Sequence, residues 1–474
     1  MSHAARAPAA PFASYAPPAG SLVRLSEVLA ALARALDLTE GQPAGHTARS
    51  CVIGMRLADE IGLGAEDRCA LYYALLLKDA GCSSNAARMS ALFGSDERVV
   101  KERMRLVDLR RPIGLAIETW RCVARGERLG DRLAHFLALA RTSDVSRDLI
   151  QVRCDRGAAI ALGLGFPRST ADAIRRLDEH WSGSGYPDGL KGEEIPLLAR
   201  IVSLAQCVET LRASRGAEGA LRAVRRRRGS WFDPALVARV LAWRSDRAWW
   251  ASLGSDDAAA AAVAAEPPDR VLQVDGAGLD EVARAFAEII DAKSPYTYRH
   301  SANVADYAFG AGRLLGLDDE ALSALRRAAL LHDVGKLGVS SRILEKAGPL
   351  TDAERREIAR HPEYTWEILS VVEAFHPFAW TAAVHHEKLD GSGYPWGLTF
   401  EELDPPARLL AVADAYEALT ADRPYRLGMS RQRAFTTLAR ERAGGKLCGK
   451  AIAALAEYLG ARGPQGGESG AGES

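Results

Sequence analysis

The chain has little that would anchor it, cross-link it or give it a field. No apolar run reaches 18 residues, so no stretch reads as a membrane-crossing helix. The first twenty residues, MSHAARAPAAPFASYAPPAG, lack the apolar core of a secretion signal. Seven cysteines, an odd number with no CxxC pair, argue against a disulfide framework or a zinc ribbon and for free thiols in a reducing compartment. Lys+Arg and Asp+Glu number 61 each, so no net charge draws nucleic acid or an acidic membrane. These absences lead to the expectation of a cytoplasmic protein with no membrane span and no nucleic-acid partner. No sustained alternation of apolar and polar residues suggests a sheet.

What is present is a repeat. GSGYP occurs at Gly391–Pro395 and, 208 positions earlier, at Gly183–Pro187. At the same offset lie the following Gly-Leu, the pairs Ala199-Arg200 and Ala407-Arg408, and Glu209 with Glu417. A second offset, 254, links His46 to His300 and Lys78-Asp79 to His332-Asp333. The 474 residues therefore read as two copies of one domain, the first holding 46 extra residues between Cys82 and Arg153. The expected organisation is a disordered segment at 1–20, a first copy at 21–253, an Ala/Pro-rich linker at 254–275, a second copy at 276–462 and a disordered tail at 463–474.

Apolar residues recur at steps of three and four in GLDEVARAFAEIIDA, SALRRAALLHDV and PPARLLAVADAYEALTA, which predicts an all-α fold of two helical bundles. TDAERREIARHP opens with a capping box, Thr351 with Glu354, and Pro362 is expected to stop that helix.

Polar residues then stand out against the apolar stripes. Leu322, Leu325, Ala329 and His332 step by 3, 4 and 3, which puts His332 on the core-facing stripe beside Asp333. A buried imidazole and carboxylate need partners. His300, His361, His385-His386 and Asp414 are the available ones, and five histidines with two aspartates suit divalent-cation chemistry. Adjacent histidines on a helix point about 100° apart and serve two ions better than one. His376, alone in AFHPFAW, reads as an ordinary hydrogen-bonded histidine. The run RRRRGSWFDP at Arg225–Pro234 reads as a solvated helix end.

Through HDVGKLGV, HPEYTWEIL, HHEKLDGSGYPWGL and DAYEALTADRPYR, the second copy resembles the HD-GYP family of HD-superfamily metal-dependent phosphodiesterases, which hydrolyse cyclic di-GMP. The resemblance spans about Leu279 to Leu427. It implies an all-α bundle with two divalent transition metals, iron or manganese. It implies that His300, His332, Asp333 and Asp414 hold one metal and that Asp333 bridges to a second, completed by His361, His385 and His386. Two cations would activate water for in-line attack on phosphorus. By the same resemblance Asp333, Lys336 and Arg423 are catalytic, and Lys336, Arg423 and Arg426 hold the phosphate. Gly393, Tyr394 and Pro395 shape the pocket. Family members with three metals carry a carboxylate where Tyr296 stands, and Asp291 matches only loosely, so two metals are expected.

In the first copy His46 and Asp79 persist. Lys78 replaces the HD histidine, Cys82 the lysine, Arg153 the histidine before proline, Leu177-Asp178 the HH pair and Gln206 the late aspartate. This copy is expected to hold no centre, with Lys78 and Arg153 pairing Asp79 and Asp178, and to pack on the second copy or mediate a homodimer, a vestigial ligand-binding role being the alternative. Expected products are pGpG or GMP. An HD phosphohydrolase for another phosphoester, or a non-catalytic cyclic dinucleotide sensor, are the alternatives. The complete ligand set of the second copy disfavours the sensor.

Overall fold

The computed structural model describes residues 22–107, 112–125, 127–141, 145–255, 257–294, 299–422 and 427–461. The expected disordered ends, Tyr296, Arg423 and Arg426 lie outside the described residues. The fold is all-α. Among the described residues the only paired strands are β1 (Val23–Arg24) and β2 (Gln273–Val274).

The first half runs α1 (Leu25–Thr39), α2 (His46–Glu60), α3 (Ala65–Leu77), a 3-10 turn at Cys82–Asn85, α4 (Ala86–Phe93), α5 (Glu97–Met104), α6 (Pro112–Cys122), α7 (Leu129–Arg141), α8 (Val145–Gly163), α9 (Arg168–Arg175), α10 (Leu197–Arg226), α11 (Pro234–Ala242) and α12 (Arg247–Ser252). After α13 (Ala258–Ala264) come α14 (Gly276–Asp291), α15 (His300–Leu314), α16 (Asp319–Leu331) and a 3-10 turn at Val334–Gly338. α17 (Ser341–Leu344), α18 (Asp352–Ile358), α19 (His361–Leu369), α20 (His376–Ala383), α21 (Pro405–Thr420), α22 (Arg431–Ala443) and α23 (Gly449–Ala461) complete it. Helices α3 and α16 begin and end at the 254 offset, and α9 and α20 at the 208 offset. Between Cys82 and Arg153 the first half has four helices, α4–α7, where the second half has two, α17 and α18.

Local chemistry sets the helix limits. Asp318 caps α16 by accepting from the Ala321 amide at 2.8 Å, and Leu322, Leu325, Ala328 and Ala329 are buried behind it. Asp404 caps α21 in the same way, with Pro405 and Pro406 in the first turn, where a missing N–H costs nothing. The Thr351–Glu354 capping box opens α18. Pro362 does not stop that helix: α18 already ends at Ile358, and Pro362 sits in the first turn of α19.

The halves pack as pseudo-symmetric partners. β1 and β2, each just before the first helix of its half, pair antiparallel with Val23 opposite Val274 and Arg24 opposite Gln273. α1 packs on the Val334–Gly338 turn and α19, while α14 packs on the Cys82–Asn85 turn. Arg34 of α1 pairs with Glu367 at 3.1 Å, and Arg156 of α8 with Glu288 of α14 at 2.8 Å. A single hydrophobic core runs through residues of both halves.

The Ala-rich segment read as a linker is ordered. Its small side chains let α13 lie close on α1 and α2, with Ala258 and Ala262 buried. Beyond it, the Glu266 carboxylate takes hydrogen bonds from Arg24 at 2.7 Å, Ser26 at 2.8 Å and Tyr73 at 2.7 Å.

Candidate metal centre

The bundle of the second half delivers seven side chains to one place. His300 is the first residue of α15, His332 caps the C-terminus of α16, and Asp333 opens the 3-10 turn. His361 starts α19, His385 and His386 follow α20, and Asp414 lies within α21. The turn fits against α19 because Gly335 has no side chain: a Cβ there would stand 2.0 Å from the His361 carbonyl oxygen. Gly81 meets Arg153 in the same way, at 1.9 Å, in the first half.

Asp333 divides its two oxygens between two histidine pairs. Oδ2 lies 3.3 Å from His300 Nε2 and 3.4 Å from His332 Nε2. Oδ1 lies 3.3 Å from His361 Nε2 and 3.7 Å from His385 Nε2. Asp414 stands across, with Oδ1 3.6 Å from His300 and 3.8 Å from His332 and Oδ2 3.8 Å from His386 Nδ1. Within each pair the Nε2 atoms face each other, at 3.3 Å for His300–His332 and 3.1 Å for His361–His385.

The other ring nitrogen of each paired histidine is fixed. Nδ1 of His332, His361 and His385 meets the carbonyl three residues back (Ala329, Ile358 and Ala382) at 2.8, 2.7 and 2.7 Å. His300 Nδ1 meets the Glu417 carboxylate. Nδ1 as donor leaves each Nε2 lone pair free to bind a cation.

The electrostatics ask for positive charge. Burial pushes the Asp333 carboxyl up, yet His332, Lys336 and His300 hold it well below the usual range. Burial opposes charge on His300 and His332, but Asp333 with Glu417, and Asp333 with Asp414, raise them to about 9 and about 10. His361 and His385 are lowered, first by burial, and burial with His361 takes His386 to about 3. Asp333 Oδ1, buried, has no hydrogen-bond donor. An unsatisfied carboxylate oxygen facing two neutral imidazoles fits a cation, and the five-histidine, two-aspartate donor set fits a transition metal.

Lys336 Nζ donates to Asp333 Oδ2 at 2.6 Å and remains partly open to solvent. The GYP turn is held from behind by Glu387, which accepts from the amides of Trp396, Gly397 and Leu398 at 2.7 to 3.2 Å. A Cβ on Gly393 would sit 2.4 Å from the Glu387 backbone, so only glycine fits. Tyr394 lies against His386, ring centroids 4.9 Å apart, and Pro395 follows it. Arg423 and Arg426 lie outside the described residues. His376 stands apart, meeting the Ser370 carbonyl. Arg225 and Arg226 end α10, and Arg227 stacks on Trp231 at 3.8 Å.

Asp291 is occupied otherwise: it accepts from the Ser301 hydroxyl at 2.7 Å and the Ser301 amide. Asp37 binds Thr47 identically in the first half, so this carboxylate belongs to the repeated fold. Sequence reasoning did not assign roles to Glu417 and Glu387. Both recur in the repeat, as Glu209 and Glu179, and that recurrence was the available signal.

In the first half Lys78 pairs with Asp79, and Arg153 with Asp178, at the positions that correspond to the second-half cluster. Three unforeseen side chains join them. Lys101 and Arg105, carried on and just after α5, both pair with Glu40, and Arg105 Nη2 lies 3.9 Å from Asp79. His46 remains buried, with neither ring nitrogen hydrogen-bonded.

A family model described as HD domain matches residues 131–236 and 284–447, more than half the chain. The chain belongs to the HD domain family. Its HD-GYP motifs place it among relatives of that type. It is 41% identical over 408 residues to the 3′3′-cGAMP-specific phosphodiesterase 3 of Vibrio cholerae, covering 85% of this chain and 88% of the relative. A cyclic di-GMP phosphodiesterase of Pseudomonas aeruginosa is 39% identical over 145 residues, 30% of this HD protein and 35% of the relative. The crystal structure of a cyclic GMP-AMP specific phosphodiesterase of V. cholerae superposes with a TM-score of 0.65 at 36% identity, covering 93% of this chain and 98% of the other.

Proposed function

We propose that this HD protein is a metal-dependent phosphodiesterase that hydrolyses a 3′,5′-linked cyclic dinucleotide at the second-half centre. The observation that carries the reading is Asp333, whose two oxygens each face a separate histidine pair. His300, His332, Asp333 and Asp414 would hold one divalent cation, and Asp333, His361, His385 and His386 a second, with iron or manganese suited to the donors. When bound, the pair would supply Lewis acidity and an activated water at neutral pH. The chain's own residues do the rest. The fixed Nδ1 atoms orient the imidazoles, Lys336 stands at the open side to meet a phosphate oxygen, and the Glu387-held GYP turn forms the adjoining wall.

The expected substrate is cyclic di-GMP, cut to pGpG or GMP. The relative that aligns along both halves is named for 3′3′-cGAMP, which favours that molecule as the second substrate to try. We read the chain as two tandem HD-type units, the first without a centre. Purified metal-loaded protein should turn over one of these cyclic dinucleotides. Turnover of a generic phosphodiester such as bis(p-nitrophenyl) phosphate with neither cyclic dinucleotide consumed would reject the substrate class.

A further inference from the structure

A cavity walled by both charged and apolar side chains lies in the first half. A space of about 180 Å³ opens between α5, α8, α10 and the Trp231–Phe232 turn. It occupies the position of the candidate centre: Arg153, Asp178, Tyr186 and Gln206, on its wall, stand where the second half has His361, His386, Tyr394 and Asp414. The space is lined by charge.

Three cations, Lys101, Arg105 and Arg153, line it against two carboxylates, Glu40 and Asp178. One positive charge is in surplus. Three lining groups are buried without hydrogen-bond partners: Glu40 Oε1, which pairs with Lys101 at 2.9 Å, Arg105 Nη1, a donor, and Asn85 Oδ1, an acceptor. Asn85 is only 3% exposed. Buried groups left in this way cost about 1–3 kcal/mol each unless something completes them. Much of the rest of the wall is apolar, with Met89, Phe93 and Leu149 offering adaptable surface beside the polar Ser203 and Gln206. A ligand that answers all three features carries an anion, a hydrogen-bond donor and a flat body.

The same helix reaches the candidate centre. Glu97, in the first turn of α5, is fully buried and accepts from the Ser341 amide and hydroxyl and from Ser340 at 3.0 to 3.2 Å. It also pairs with Lys293 at 3.3 Å, and Lys293 donates to the Leu337 carbonyl at 2.7 Å. Arg98 donates to the Gly338 carbonyl. Leu337 and Gly338 directly follow Lys336. Val100, Lys101 and Met104 of α5, with Arg105 just after it, line the cavity, so one short helix joins the cavity to the turn that carries Lys336 and Asp333.

We infer that the first-half cavity binds a purine nucleoside monophosphate and that α5 transmits its occupancy to the Val334–Gly338 turn. The phosphate meets Arg105 and Arg153, and the base lies along the apolar wall with an N–H toward Asn85. The choice of a nucleotide rests on the reading of the second half as a cyclic dinucleotide phosphodiesterase, because hydrolysis there generates nucleotides ending in a phosphate monoester.

Calorimetric titration of the intact chain with GMP and with AMP tests this, using wild type, Asp333→Asn, Arg153→Gln and Gln206→Trp. Asp333→Asn removes the shared ligand of the candidate centre and should still bind one equivalent of one of the two nucleotides. Arg153→Gln and Gln206→Trp, which remove the cation and fill the cavity, should bind at least tenfold more weakly while melting cooperatively. In wild type, bound nucleotide should slow exchange of the Leu337 and Gly338 amides, and Gln206→Trp should remove that effect. Absence of saturation in Asp333→Asn by about 1 mM of either nucleotide overturns the inference. So does undiminished binding in both cavity variants, and so does binding that leaves those amides unchanged. Turnover is measured separately, so a chain that binds GMP but hydrolyses no cyclic dinucleotide fails the proposed function and not this site.

Discussion

Lys78 seals its ammonium against Asp79 where the second half sets His332 against Asp333. Neither partner of the first pair is open to solvent, with side-chain exposures of 0% and 3%. A fixed internal cation thus stands where the second half has a candidate metal ligand. A carboxylate in such a place cannot stay ionised without a positive neighbour, and lysine supplies one that needs no metal.

Replacing Lys78 with methionine keeps the length of the side chain and removes the charge. Asp79 would then keep Arg105, at 3.9 Å, as a looser cationic neighbour. The intact chain should lose about 1–3 kcal/mol of stability, read as a lower melting midpoint. Turnover measured below that midpoint should be nearly unchanged. Lys78→His should restore no metal, because Arg153, Leu177, Asp178 and Gln206 still occupy other ligand positions. An unchanged midpoint for Lys78→Met would reject charge replacement.

Asp37 offers a pH test away from the centre. Burial raises its carboxyl from the model-peptide value of 3.8 to about 6, partly offset by Thr47 and Lys78. The folded chain therefore holds this proton more tightly than the unfolded chain, and the associated stability is present below about pH 4 and lost as pH rises through 6. Asp37→Asn keeps an acceptor for Thr47 without the charge. It should raise stability at pH 7.5 by about 1–3 kcal/mol and change little at pH 4. Denaturant melts at the two pH values decide it, and equal effects at both would count against the assignment.

Glu417 holds the Nδ1 of His300 and so aims its Nε2. Glu417→Ala should weaken metal retention against a chelator by about 10–100-fold, with Glu417→Gln recovering part of the loss. Equal retention in all three proteins would remove Glu417 from the site.

Much of this was legible in sequence because it is periodic or repeated. The stripe Leu322, Leu325, Ala329, His332 is buried along its length, and the two offsets locate corresponding helices in the two halves. What escaped was long-range and aperiodic. Glu97 meets Ser341 across 244 positions, and Lys101 of α5 meets Glu40 just beyond the end of α1. Glutamates such as Glu387 and Glu417 resemble solvated helix residues until the amides or imidazole they face are known. The Ala-rich segment before β2 has the composition of a linker, but alanine is also what allows α13 to approach α2 closely.

In the proposed centre Asp333 joins two cation positions. Elemental analysis of the intact chain and of Asp333→Asn, purified side by side, tests it most directly, with cyclic dinucleotide turnover read on the same samples. Wild type should carry about two transition-metal ions per chain, and Asp333→Asn should lose both metal and turnover while remaining folded. A folded Asp333→Asn protein that keeps two metals and near-wild-type turnover would contradict the account.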